Sequence, residues 1–90
     1  MIKLSRKMEY ALIALKHLSL AEQLTPAKEL SQRYQIPFDV VSRVLQILNQ
    51  NDVVKSAQGT HGGYKLIKPL NSITFYELAE MIEGPMYLVK

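Results

Sequence analysis

The 90-residue sequence contains no cysteine and no tryptophan, and only four glycines and four prolines. Without a thiol this chain has no disulfide, no thiolate nucleophile, no zinc ribbon and no cysteine available to ligate an iron–sulfur cluster. No cofactor is therefore expected. Long hydrophobic runs are also missing. The longest, residues 10–15, has six residues, where a membrane span needs about 20. No basic start leads into an apolar stretch of about 7–15 residues with a cleavage site, so a secretory leader is not expected either. What remains is 48% apolar and 21% charged, an ordinary globular composition. A domain of this size buries roughly 60–70% of the surface its unfolded chain exposes, enough for one modest core. The expectation is one cytoplasmic domain over residues 1–90, with no membrane partner.

Acidic residues are scarce in most of the chain. Residues 1–68 hold ten Lys/Arg against five Asp/Glu, a net +5. Residues 69–90 hold one lysine against three glutamates, a net −2. A basic body with an acidic end suits a polyanion on one side of the fold. On charge alone, a distribution chosen for solubility explains it equally well.

The few glycines and prolines fall where punctuation is needed. Gly59, Gly62 and Gly63 lie between two short stretches rich in β-branched and aromatic residues, which predicts a β-hairpin with a long tip over residues 53–68. Pro69 closes its second strand, since proline cannot donate to a ladder. Thr25-Pro26 reads as an N-cap before a proline in the first helical position. Pro37 opens another helical pattern, and Gly84-Pro85 reads as a C-cap and stop. Thr74 with Glu77 matches a capping box. The predicted elements are helices 6–22, 26–34 and 37–50, hairpin 53–68 and helix 75–83. Helix, helix, turn at Gln35-Ile36, longer helix, hairpin, helix is the order of a winged helix-turn-helix, mainly α with a β-hairpin wing.

At 100° per residue, helix 37–50 divides into two faces. Val40, Val41, Val44, Leu45, Ile47 and Leu48 share one arc and should dock on the first two helices. Asp39, Ser42, Arg43, Gln46 and Asn49 share the other, with Phe38 at its border. That outward face has no lysine and no glutamate, the side chains that solvated helices favour. Arg, Gln, Asn and Asp instead match the hydrogen-bonding pattern of base edges. The plainer reading is that Asp39 complements the helix dipole while its neighbours tolerate water. Lys3, Arg6 and Lys7 at the start of the first helix, and Lys55, Lys65 and Lys68 on the hairpin, form basic clusters suited to phosphate.

Other chemistries find little support. The two histidines, His17 and His61, are far apart in sequence and no cysteine completes a transition-metal set. His17 is expected at the surface or an interface. Glu77 and Glu80 are a carboxylate pair without a nucleophile or a nucleotide loop beside them, so a solvated helix face explains them better than acid–base catalysis. The wing glycines lack the Lys-Ser/Thr ending of a phosphate loop. An enzyme is not expected. The competing readings are a winged-helix assembly module, which should carry exposed apolar anchors, and a sequence-nonspecific DNA coater, which should carry more lysine.

Several stretches are familiar: residues 4–11, Glu29-Leu30-Ser31 through Ile36, the wing Gly59 to Leu66, and Ile73-Thr74 to Glu83-Gly84-Pro85. In these the chain resembles the Rrf-two family of bacterial winged-helix transcription regulators, which includes the iron–sulfur cluster regulator and the nitric-oxide-sensing repressor. The resemblance runs from about Ile2 to Pro85. It implies a sequence-specific double-stranded DNA-binding regulator, a repressor. Arg6 and Lys7 would touch the DNA backbone, Phe38, Asp39, Ser42 and Arg43 would meet the major groove, and Gln58, Thr60 and His61 would approach the minor groove. Gln46 on the outward arc and Lys65 on the wing complete the candidate set. The sequence departs from the family where an arginine often stands at Gln58 and a Pro-Gly pair at Thr60-His61. The cysteine loop and long dimerisation helix of sensing members would follow Gly84-Pro85, and the 90 residues end at Lys90 before either. A homodimer on a near-palindromic site is expected, using Ile13, Leu20 and the apolar Met86, Tyr87, Leu88 and Val89; packing of Ile13 and Leu20 beneath the last helix explains those two equally well. Met8, Leu12, Leu15 and Leu18 should form the core stripe of the first helix.

Overall fold

The first helix begins at a serine that performs two tasks. In the computed structural model, which describes residues 4–84, the Ser5 hydroxyl accepts from the Met8 amide at 3.1 Å. It also donates to the Glu83 carboxylate. The start of helix α1 (Arg6–Leu20) is thereby tied to the last turn of helix α4 (Phe75–Glu83). Between them lie α2 (Ala27–Tyr34), α3 (Phe38–Gln50), strands β1 (Val54–Ala57) and β2 (Gly63–Leu66), and a single 3-10 turn (Leu70–Ser72). The expectations for Lys3 and for Pro85 to Val89 fall outside the described residues.

Helix α1 buries Met8, Ala11, Ala14, Leu15 and Leu18. Leu12, expected in that stripe, is 38% exposed. The two alanines take the close helix contacts that a leucine is too large to enter, and Ile13 packs partly against the core instead. The helix ends at Leu20, not residue 22, because Ala21 is already extended (φ −81°, ψ 139°). The reason lies downstream. Thr25 and Tyr64 exchange two backbone hydrogen bonds, each 2.9 Å, so the chain must run extended to bring Thr25 beside β2. Thr25 is 2% exposed and does not cap α2. Pro26 occupies the cap, with no side-chain hydrogen bond.

Only Leu30 of α2 is fully buried. The turn into α3 is held by a reciprocal pair: the Ile36 amide donates to the Ser31 carbonyl at 3.0 Å, and the Ser31 hydroxyl donates to the Ile36 carbonyl at 2.6 Å. Gln35 between them is left-handed (φ 56°, ψ 44°), a conformation that a non-glycine residue adopts at some cost. Pro37 is the cap of α3 rather than its first residue. Val41, Val44, Leu45 and Leu48 are wholly buried where α3 packs against α1 and α2.

The hairpin strands are shorter than the interval 53–68, four residues each. Beyond them the Val53 carbonyl accepts from both Ile67 (3.0 Å) and Lys68 (3.3 Å), closing the base of the wing without continuing the ladder. The antiparallel register sets Val54 opposite Leu66, Lys55 opposite Lys65, and Ser56 opposite Tyr64. Helix α4 starts with the expected capping box: Thr74 and Glu77 bond each other's backbone amides, both at 3.0 Å. No helix among the described residues is long and apolar enough to cross a membrane.

One glycine secures the wing. Gly63 (φ 152°) lies so close to the α1–α2 connection that a Cβ there would be 2.6 Å from the Thr25 carbonyl carbon and 2.8 Å from the Pro26 nitrogen. Both are backbone atoms that cannot step aside without breaking the Thr25–Tyr64 bridge. Gly63→Ala is expected to cost about 1–3 kcal/mol, the scale of local backbone strain, and to abolish slow amide exchange at Thr25 and Tyr64. Urea denaturation and hydrogen exchange check this; retained protection at both amides contradicts it.

Candidate nucleic-acid interface

Burial of one side of α3 determines what its other side presents. Phe38, Asp39, Arg43 and Gln46 are exposed, while Ser42 and Asn49 are half-buried at the margins. Asp39 and Arg43 are one turn apart, the spacing at which a helix commonly forms an ion pair. Yet the ion pair recorded among the described residues is elsewhere, between His17 and Glu29. The guanidinium of Arg43 and the carboxylate of Asp39 are thus both available to an outside partner. Asp39 also sits in the first helical turn, where the helix dipole favours a negative charge.

On the wing, Val54, Ser56, Tyr64 and Leu66 alternate with Lys55 and Lys65. Lys55 and Lys65 are directly opposed across the strands and both exposed. Like charges facing each other across a ladder destabilise it, and no carboxylate among the described residues pairs with either lysine. Lys68 is half-buried. At the tip, Gln58, Thr60 and His61 are exposed, and Thr60 and His61 border a shallow recess shared with Gln23, Leu24 and Pro26. The wing tip thus adjoins the start of α2. Arg6 and Lys7 are exposed on the first turn of α1, beside the Ser5–Glu83 tie and with no recorded bond to the α3 or wing candidates.

Three contributors to this arrangement carry no signal in a single sequence. Thr25 holds the tip half of the wing, and Ser31 locks the turn that aims α3; a serine or threonine before a helix or inside it looks the same in either role. The third is His17, whose Nδ1 lies 2.8 Å from the Tyr34 hydroxyl and whose Nε2 lies 3.4 Å from a Glu29 carboxylate oxygen. Arg33 stacks over the Tyr34 ring at 5.7 Å. This polar stitch joins α1 to α2. His17, expected at the surface or an interface, is half-buried between α1 and α2.

The geometry has clear relatives. The profile of the Rrf2 family, described as iron-dependent transcriptional regulator, matches residues 4–90. The HTH-type transcriptional regulator IscR of Cereibacter sphaeroides is 35% identical over 86 residues, covering 91% of this chain and 56% of that protein. NsrR of Oceanobacillus iheyensis is 29% identical over 91 residues, covering 99% and 62%. The chain therefore spans little more than half the length of these curated relatives. Among solved structures, CymR, the global cysteine regulator of Bacillus subtilis, superposes with a TM-score of 0.84 at 28% identity, covering 100% of this chain and 71% of that one. IscR of T. potens (TM-score 0.76, 24% identity) shares the fold.

The iron in the family's description finds no matching donor set here. The sequence has no cysteine, and among the described residues no three His, Asp or Glu side chains are grouped to hold a metal ion. The residues present do not fit an iron or iron–sulfur centre. In fold and in sequence over nearly all its length, this chain belongs to the Rrf2 family of winged helix-turn-helix transcriptional regulators.

Proposed function

We propose that the protein is a sequence-specific double-stranded DNA-binding regulator, acting as a repressor in the bacterial cytoplasm, with α3 in the major groove and the hairpin as wing. The observation that carries this reading is the two-sidedness of α3. On its apolar side Val41, Val44, Leu45 and Leu48 are wholly buried and Val40 and Ile47 half-buried, while Asp39, Arg43 and Gln46 stand exposed and unpaired among the described residues. Arginine matches the acceptors of guanine, glutamine the edge of adenine, and aspartate the amino group of cytosine. Lysines 55 and 65 supply phosphate contacts, as do Arg6 and Lys7. The wing tip, Gln58 with Thr60 and His61, approaches the adjacent minor groove. With a neutral Gln58, that approach gains little from the negative potential of a narrow groove.

A homodimer accompanies this reading, because paired half-sites about 34–36 Å apart need two reading helices. Ile13, one of the residues expected at the dimer surface, packs on the core. The dimer is therefore assigned to the exposed apolar residues Leu12, Leu20, Leu70 and Phe75, three of which line a groove between α1 and α4 with Leu15 and Leu78. The same apolar surface is what favours the second reading, a protein-assembly module without specific DNA binding.

Selection from a randomised duplex pool separates the two readings. A preferred duplex bound more tightly than random duplex at 0.15 M salt is expected from a regulator; equal binding leaves the assembly module. On the preferred duplex, Arg43→Ala should lose about 1–3 kcal/mol and relax one base position. Lys7→Ala should weaken all duplexes alike and lower the salt slope by about one. Identical behaviour of the two variants removes the distinction between reading and positioning.

The opposed lysines give a second expectation. Lys65→Gln should leave the free protein equally stable or more stable by up to about 1 kcal/mol, from relief of cross-strand repulsion. It should also reduce the salt slope of duplex binding by about 0.9. Thermal melts and anisotropy titrations check both halves; a destabilised variant with an unchanged slope contradicts both.

For the dimer, sedimentation equilibrium at micromolar concentration should show a dimer that Phe75→Glu converts to monomer with unchanged helicity. A wild-type monomer with and without duplex overturns it.

A further inference from the structure

Phe38 is the one large apolar side chain that α3 leaves exposed. It is the first residue of the helix, 55% exposed, and its backbone is fixed by what precedes it. Pro37 caps the helix (φ −54°, ψ 133°), and the Ser31–Ile36 bonds lock the turn before it. The Cα of Phe38 is thereby held at a defined place at the amino end of α3, with its ring open to solvent. Leaving it in water has no structural return, since it is not among the side chains packed on the core. In helix-turn-helix proteins the amino end of the reading helix is the part that reaches base edges. A phenyl ring there has no hydrogen bond to offer. The feature of the major groove it can recognise is the methyl group at C5 of thymine, the groove's one apolar marker.

We propose that Phe38 is a specificity-determining residue that recognises a pyrimidine 5-methyl group, resting on the regulator reading above. In unmodified DNA that group belongs to thymine; 5-methylcytosine presents the same group at the same place. The neighbouring charges do not compete for it. Asp39 and Arg43 address polar edges, and the lysines address phosphate. The contact is apolar, so its share of the affinity is independent of salt, unlike the phosphate contacts. Phe38 therefore contributes to which sequence is chosen without altering how steeply binding falls with ionic strength.

The test uses the full chain and the duplex selected from the pool. Each thymine is replaced in turn by deoxyuridine, which removes the methyl group and keeps every hydrogen bond. Binding by the wild type should fall about fourfold at one thymine per half-site, the increment of one buried methyl group. At that same position Phe38→Ala should show no difference between thymine and deoxyuridine. Phe38→Leu, which keeps an apolar side chain, should retain part of the difference. The salt slope should be the same for wild type and Phe38→Ala. Cytosine against 5-methylcytosine at that position identifies the methyl group itself as the determinant if methylation restores the lost affinity. A selected duplex that is indifferent to every deoxyuridine, or an undiminished thymine preference in Phe38→Ala, overturns the Phe38 assignment and leaves the regulator reading standing. Failure to select any duplex overturns both.

Discussion

Burial of Val41, Val44, Leu45 and Leu48 is the constraint on which the rest of the molecule depends. These four side chains have no exposed surface, and fully burying each contributes about 1.5–3 kcal/mol. With that side fixed against α1 and α2, the helix has no freedom to turn about its axis. A rotation by one residue, about 100°, would carry Arg43 toward the core and leave a guanidinium buried without a partner, a costly state. The direction in which Asp39, Arg43 and Gln46 point is thus a consequence of packing. The elements at either end follow from the same fixed axis. The Ser31–Ile36 pair brings the chain into α3, and Asp52, in a left-handed turn (φ 59°), leads it out into the wing.

Features set by neighbours along the chain were legible in the sequence, and features set by distant partners were not. The faces of α3 follow from periodicity, and Thr74 with Glu77 from a local capping pattern. Residues 75–83 are helical as expected. Thr25 reads locally as an ideal cap, yet its backbone is taken by Tyr64, a residue on the far side of α3 in sequence. That single bridge also shortens α1 at its end. Leu12 and Ala11 are adjacent in sequence and opposite in fate, because the space between packed helices, not hydrophobicity, decides which of them goes inside. In the candidate site, the exposure of Arg43 and Gln46 was legible from phase. The half-burial of Ser42 was not, since it depends on how closely the neighbouring elements approach. That Lys55 faces Lys65 required the strand register, which a tip with three glycines leaves open. The groove-by-groove roles of Phe38, Asp39, Gln58, Thr60 and His61 came from resemblance, beyond what composition or spacing could supply.

Within its family the chain keeps a familiar frame and carries its own set of exposed side chains on α3 and the wing. The frame is closely kept, as the superposition on CymR indicates. The surface is another matter: Phe38 begins α3, and the wing carries Gln58, Thr60 and His61 at its tip. The family's description names iron, and the residues here offer no thiolate for it. Frame and exposed side chains have different physical origins. The first is governed by the packing of α1, α3 and α4, the second by side chains that contribute little to that packing.

Helix α2 illustrates how thin that packing becomes at one point. It has eight residues and one wholly buried side chain, Leu30, so polar stitches do much of the holding: His17 to Tyr34 and Glu29 on one side, Ser31 to Ile36 on the other. Hydrogen bonds and exposed ion pairs are each worth far less than a buried leucine. Loss of those stitches would loosen α2 while leaving the contacts of α1 with α3 and α4 in place. A partly opened chain of this kind would still be folded by most measures. It would nonetheless have lost the brace that sets the direction of α3.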